Sequence, residues 1–263
     1  MDLTFAESLA ETQLVDRVSI VVSKSRILVD GVDIGIGLVR NEAGQLSIAP
    51  EYRRGMLVSP LYDYLIEKWE SRQILRDLTQ RDEKFQSEIL FVVDREVPHG
   101  VVADVMYTAG QSRFGGFHFV VHNSWMDGLT TIDSSLPIIG HSGLHTPRYV
   151  FHIELSKTGL TVKSSSALPV HLPCSGPFCN GVDDYDWDGL NKLLVTIHDE
   201  YPDIKRYVIV PERSISYEVV VRAMDIARWG PTLSFHANKE QWQQWQDGRQ
   251  ELFDRPIIAG GVE

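Results

Sequence analysis

The residues able to do chemistry in this 263-residue chain fall into a few short constellations. Gly140-His141-Ser142-Gly143-Leu144 approaches a nucleophile elbow, in which Gly-x-Ser-x-Gly holds a serine on a sharp strand-to-helix turn. Leu144 stands where the last glycine belongs, and no helical pattern follows. His141 and His145 would share one face of a helix, but a zincin needs Glu directly after the first His, and Ser142 is there. His118 and His122 could enlarge that pair to a metal site; satisfied or solvated histidines are the simpler expectation. Asp183, Asp184, Asp186 and Asp188 have the density of a calcium loop without the central Gly or terminal Glu of an EF-hand. Asp186 reads instead as a helix N-cap, with its acidic neighbours favouring the positive end of that helix. The expectation is therefore no catalytic, cofactor-binding or metal site.

The two cysteines, Cys174 and Cys179, sit in Pro173-Cys-Ser-Gly-Pro-Phe-Cys-Asn-Gly181. Pro and Gly make a tight loop able to bring the sulfurs together, so a disulfide and an oxidising compartment are expected. Two unbonded loop thiols are the alternative. A two-Cys metal site would need two more ligands, of which His171 is the nearest.

One pair of functional groups occurs twice. Asp94-Arg95 opens Asp-Arg-Glu-Val-Pro-His-Gly-Val-Val-Ala-Asp-Val-Met106, and Glu212-Arg213 opens Glu-Arg-Ser-Ile-Ser-Tyr-Glu-Val-Val-Val-Arg-Ala-Met224. Val97 aligns with Ile215, Pro98 with Ser216 and His99 with Tyr217. In each copy a short buried strand precedes the acid (residues 89–93 and 207–210) and an apolar helical stripe follows it. No second acid, nucleophile or phosphate loop accompanies either pair. A helix-capping or partner-contact role outweighs catalysis.

The repeat extends upstream. Ile20, Ser23-Lys24 and Val29 align with Ile153, Ser156-Lys157 and Val162, each in a hairpin pattern of two alternating strands around a polar turn. A helix follows each hairpin. Leu61, Leu65, Ile66 and Trp69 form the first stripe, after Pro60; Leu190, Leu193, Leu194 and Ile197 form the second, between Asp186 and Pro202. Closing strands are expected at Phe117–Val121 and Thr232–His236. Each copy reads β-β-α-β-α-β. The predicted fold is two-layer α/β (α+β), two tandem domains with helices on one face of a small mixed sheet. The divisions are an N-terminal segment 1–17, a first domain 18–122, a Gly/Pro/Ser/Thr-rich linker 123–149, a second domain 150–237 and a tail 238–263. The stretch Ile257–Val262 could add a strand in cis or in trans.

Composition agrees with a globular protein: 43% hydrophobic and 23% charged residues. A net charge of −11 without a Lys/Arg cluster disfavours nucleic acid and anionic membrane surfaces. No apolar run approaches the roughly 18 residues of a spanning helix. Met1–Glu7 has neither a basic n-region nor an apolar core.

In its strand-turn-helix units the chain resembles the periplasmic domain of the ExbD/TolR family of biopolymer-transport proteins. That domain has a strand ending in an acid and a base, a turn often containing Val-Pro-Tyr, and a Val-Val-x-x-Met-Asp helix. Ile27-Leu-Val-Asp-Gly31 resembles the family's strand-Asp-Gly turn. The likeness covers residues 18–122 and 150–237. It implies a non-enzymatic, periplasmic domain of a proton-motive-force-coupled inner-membrane complex, tethered by a helix outside this chain. Its partners would be an ExbB/TolQ-like membrane protein and a TonB/TolA-like protein, with no cofactor. A peptidoglycan-binding module on the same fold is the alternative, and an enzyme with an unrecognised site ranks below both. The implied partner-binding residues are Asp94, Arg95, Val97, Pro98, His99, Glu212, Arg213, Ile215 and Tyr217. Family members usually carry one such domain, so a tandem chain could supply a homodimer's contacts as an intrachain pseudo-dimer.

Overall fold

A computed structural model describes residues 17–79, 87–123, 128–135, 151–164, 167–231, 244–245 and 248–259. The first copy begins with a meander: β1 (Val18–Val22), β2 (Arg26–Val29), β3 (Val32–Arg40) and β4 (Leu46–Ile48). A small hairpin, β5 (Arg53–Arg54) and β6 (Leu57–Val58), leads into helix α1 (Ser59–Thr79). Then come β7 (Glu88–Val93), α2 (His99–Gln111) and the hairpin β8 (Gly116–Asn123) and β9 (Gly128–Ser135). The second copy has β10 (Phe151–Ser156), β11 (Gly159–Ser164), β12 (Val170–Pro173), α3 (Trp187–Glu200), β13 (Arg206–Pro211) and α4 (Tyr217–Arg228). A short pair, β14 (Trp229–Gly230) with β15 (Gln250–Glu251), precedes β16 (Arg255–Ile258).

The copies superpose in register. β1 runs parallel to β7 with Ile20 opposite Phe91; β10 runs parallel to β13 with Ile153 opposite Ile209. In the hairpins Ile20 faces Val29 and Ile153 faces Val162. The repeated Ser-Lys now has a cause. Ser23 Oγ donates to Arg26 O at 2.9 Å and Ser156 Oγ to Gly159 O at 3.0 Å, closing each turn. Lys24 Nζ lies 3.9 Å from Asp94, while the Lys157 amide donates to Glu212 Oε2 at 3.2 Å. Each repeated acid thus meets the hairpin turn of its own copy.

Three features depart from the expected outline. Each meander has a third strand before the first helix, β3 and β12. Residues 128–135, expected within the linker, form β9. The place that β8 holds beside β7 is held beside β13 by β16, with Ile209 opposite Ile258. That strand arrives some way down the chain, not directly after α4; the expected strand at 232–236 lies outside the described residues. So do the Gly140–Leu144 segment, His141 and His145.

The two small sheets are one. Strand order is β12-β11-β10-β13-β16-β9-β8-β7-β1-β2-β3-β4, a mixed 12-stranded sheet. Alternation decides the core face: Val18, Ile20 and Val22, then Ile89, Phe91 and Val93, are fully buried while their neighbours are partly exposed. The helices lie side by side, α1 on α2, α2 on α4 and α4 on α3. Of the predicted stripes, Leu61, Leu65, Leu190, Leu194 and Ile197 are buried, and Ile66, Trp69 and Leu193 half-buried. Asp186 caps α3, accepting from the Gly189 amide at 2.8 Å. One continuous apolar cluster spans both copies. Such an amphipathic layer on a half-buried sheet is what burial of apolar area favours, at about 25 cal/mol per Å².

Candidate functional site

The two acid-Arg turns meet each other. Pro98 and Ser216, the aligned residues at the centre of each turn, form an antiparallel bridge. Around it the backbone bonds are reciprocal. The His99 amide donates to Ile215 O at 2.7 Å, and the Tyr217 amide to Val97 O at 2.9 Å. The Gly100 amide donates to Arg213 O at 2.9 Å, and the Glu218 amide to Arg95 O at 3.0 Å. Every donor and acceptor has its aligned counterpart in the other bond of its pair. The copies are therefore related by a pseudo-two-fold passing between Pro98 and Ser216. Each bond contributes about 1 kcal/mol net, and each also satisfies a helix-start amide that would otherwise lack an intrahelical acceptor.

The side chains break that symmetry where the sequences differ. Arg213 lies over Gly100 and reaches Asp104 on α2; its Nη2 is 2.9 and 3.0 Å from the two carboxylate oxygens. Arg53 Nη2 adds a contact to Asp104 at 3.0 Å. A β-carbon on Gly100 would stand 3.1 Å from the Arg213 carbonyl oxygen, so the glycine makes room for the crossing. On the other side Gly100 is replaced by Glu218, and Arg95 Nη1 lies 3.6 Å from its carboxylate. Asp104 aligns with Arg222, so the second side has no equivalent buried acid at that helix position. Desolvation raises the Asp104 pKa above the ordinary carboxylate value, against the opposing pull of Arg213 and Arg53.

His99 and Tyr217 differ likewise. His99 is buried, and its Nε2 is 3.0 Å from Ala259 O just past β16, an acceptor that fixes Nε2 as the donor. Burial lowers its pKa from 6.5 to about 4, outweighing that bond, with the Arg213 charge acting in the same direction as burial. Tyr217 packs its ring 5.7 Å from Phe119 of β8, and its buried hydroxyl has no hydrogen-bond partner among the described residues. Each turn thus sits over the inner strand of the opposite copy. Asp94, Val97, His99, Ile215 and Tyr217 are buried in this junction, while Arg95 keeps 41% of its side chain exposed.

Several of the other candidates have structural partners. Asp184 accepts from the Asn180 and Gly181 amides at 2.7 and 3.1 Å, and Asp186 caps α3. Cys174 and Cys179 lie at disulfide distance with their Cα atoms 5.4 Å apart. His118 has Asp133 on Nδ1 and Glu88 Oε2 at 3.1 Å from Nε2, and Arg17 holds that Glu88 oxygen at 2.7 Å. His171 accepts or donates one bond with Thr161 Oγ1 at 3.0 Å. Among the described residues no group of three or more His, Cys, Asp or Glu side chains is arranged around a common metal position. None of the described helices is long and apolar enough to cross a membrane.

No protein-family model matches the chain, no curated protein matches it, and no solved structure matches it. What the fold and the junction define is a mixed α/β protein of two like halves closed on each other about a pseudo-dyad.

Proposed function

We propose that this protein is a non-catalytic interaction scaffold, an intrachain pseudo-dimer of two ExbD/TolR-like domains that works through protein-protein contacts. The observation that carries the reading is the reciprocal pairing of residues 95–100 with residues 213–218. Family members obtain a domain pair by dimerisation; here the pair is covalent, and the repeated acid-Arg turns are its contact. The implied partner-binding residues Asp94 to His99 and Glu212 to Tyr217 serve one another first. External partners then meet the outer sheet. β12 has a neighbour on one side only among the described residues, and Leu168, Val170 and Phe178 are exposed near it. An open edge of this kind accepts an extended partner segment by strand addition.

In this reading the chain belongs in the periplasm with an ExbB/TolQ-like and a TonB/TolA-like partner. An oxidising compartment agrees with the Cys174–Cys179 pair. The test is direct binding of the purified chain to a purified TonB- or TolA-type periplasmic domain, with sedimentation on peptidoglycan as the second arm. Saturable binding to the protein domain is expected. Binding to peptidoglycan alone would replace the motor reading with a cell-wall module, and binding to neither would remove both.

A further inference from the structure

A narrow cleft of about 100 Å³ opens where the second half meets the start of α2. Its lining comes from the β3–β4 segment, the first turn of α2, Arg53 and Arg213. All of these belong to the first half except Arg213. The cleft therefore exists only once the halves have closed. The β3–β4 residues Gln45, Leu46 and Ser47 are partly exposed and Asn41 is fully so, which leaves this side open to solvent.

The charges in this cleft do not balance. Arg213 and Arg53 share a single carboxylate, Asp104, and each reaches it through Nη2. Asp104 is 2% exposed, and both of its oxygens are engaged. The remaining bonds of the two guanidiniums run to backbone carbonyls: Arg53 Nε donates to Gly55 O at 3.2 Å, and Arg213 Nη2 to Gly100 O at 3.2 Å. Among the described residues neither Nη1 has a hydrogen bond, although a guanidinium carries five N–H donors. Both side chains reach solvent, 29% and 27% exposed. Two cations against one anion leave the lining with a formal charge of +1, in a chain of net charge −11. The start of α2 adds a partial positive charge. It acts through its field alone, because the Gly100 and Val101 amides already donate to Arg213 O and Pro98 O.

We propose that this cleft binds one small oxyanion, the carboxylate or phosphoryl end of a ligand, held between the open N–H groups of Arg53 and Arg213. Charge-assisted bonds from guanidinium to such oxygens are the strong class of hydrogen bond. The volume admits the charged group alone, so a larger ligand leaves its body in solvent. Because the donors come from both halves, the bound anion is a further bridge across the pseudo-dyad. It stabilises the closed chain by mass action. The site rests on the closed junction and not on the scaffold reading, since it needs no TonB- or TolA-like partner.

The test is an NMR titration of the intact chain with sodium phosphate and with sodium acetate, at fixed ionic strength, with sodium chloride as control. Saturable shifts are expected at the Arg53 and Arg213 Nε–H groups and at the Leu46, Ser47, Gly100 and Val101 amides, with an oxyanion and not with chloride. Response to phosphate alone marks a phosphoryl site; comparable response to acetate marks a carboxylate site. Arg53→Gln leaves the Arg213–Asp104 pair in place and is expected to weaken binding about tenfold or more, the scale of one charge-assisted bond. Ser47→Glu, on the short edge strand, sets a carboxylate of the chain's own at the cleft and is expected to block binding without touching the ion pair. Wild-type affinity in whichever of these variants folds overturns the proposal, as does the absence of saturable shifts with both oxyanions.

Discussion

Arg213 crosses from one half of the molecule to bind Asp104 in the other, its Nη2 2.9 and 3.0 Å from the two carboxylate oxygens. The contact ties the start of the second acid-Arg turn to the body of α2. Asp104 is almost wholly buried, whereas Arg213 and Arg53 keep 27% and 29% of their side chains exposed. Breaking a buried ion pair typically costs about 3–5 kcal/mol, because one charge stays buried alone. Here the charges left behind reach water, so the cost falls below that range. Asp104→Ala is expected to cost about 2 kcal/mol in urea unfolding. Loss within a few tenths of a kcal/mol would show that the crossing does not hold the halves.

Gly100 is required by that crossing. A β-carbon there would meet the Arg213 carbonyl oxygen at 3.1 Å, and that oxygen already accepts the Gly100 amide at 2.9 Å. The backbone cannot retreat without losing the bond. Gly100→Val is expected to destabilise by about 1–3 kcal/mol, the usual cost of overpacking. Glu218→Val at the aligned position should cost markedly less. Thermal melts of the two variants give the comparison.

Protonation of His99 opposes folding. Its pKa is 6.5 by nature and about 4 when folded, so the unfolded chain takes up the proton first as pH falls. The stability carried by the neutral ring is fully present above 6.5 and is lost as pH drops towards 4. The window is worth about 3 kcal/mol by linkage. His99→Gln keeps a neutral donor for Ala259 O and removes the titration. The difference in unfolding free energy between wild type and variant, measured across this window, should carry that slope. A flat difference would contradict the burial of His99.

The junction should form without the covalent link. A chain cut between residues 136 and 150, in the segment joining β9 to β10, leaves both acid-Arg turns intact. The two fragments mixed in equal amounts are expected to co-elute as a one-to-one complex with the circular dichroism of the whole chain. Combining Asp104→Ala with the cut should weaken that complex. Fragments that fold and stay apart would remove the pseudo-dimer from the functional proposal.

The order of elements was legible from local pattern. Alternating Phe151, Ile153 and Leu155 define β10, the Leu190-Leu194-Ile197 spacing defines α3, and Asp186 marks its start, because strand period, helix period and capping are properties of neighbouring residues. The short edge strands β4 and β12 were not legible. Four residues such as Val170–Pro173 carry too little alternation to separate a strand from a loop. Residues 128–135, Gly128-Leu-Thr-Thr-Ile-Asp-Ser-Ser, are polar enough to pass for a linker; they form β9 because β8 offers eight paired positions across a hairpin.

The candidate site divides the same way. By itself the sequence determined that Asp94-Arg95 and Glu212-Arg213 are equivalent, since a duplication is written in residue identity. It also placed Cys174 and Cys179 in one tight loop, since the four residues between them include Gly176 and Pro177 and keep the sulfurs close. Only the tertiary structure decided that the equivalent turns face each other, that Arg213 finds Asp104, and that β16 completes the second half. Those contacts join residues far apart in the chain, the first two across more than a hundred positions, and no local periodicity records which buried face closes on which. Pairing of the halves is a property of two surfaces, and it exists only once both have folded.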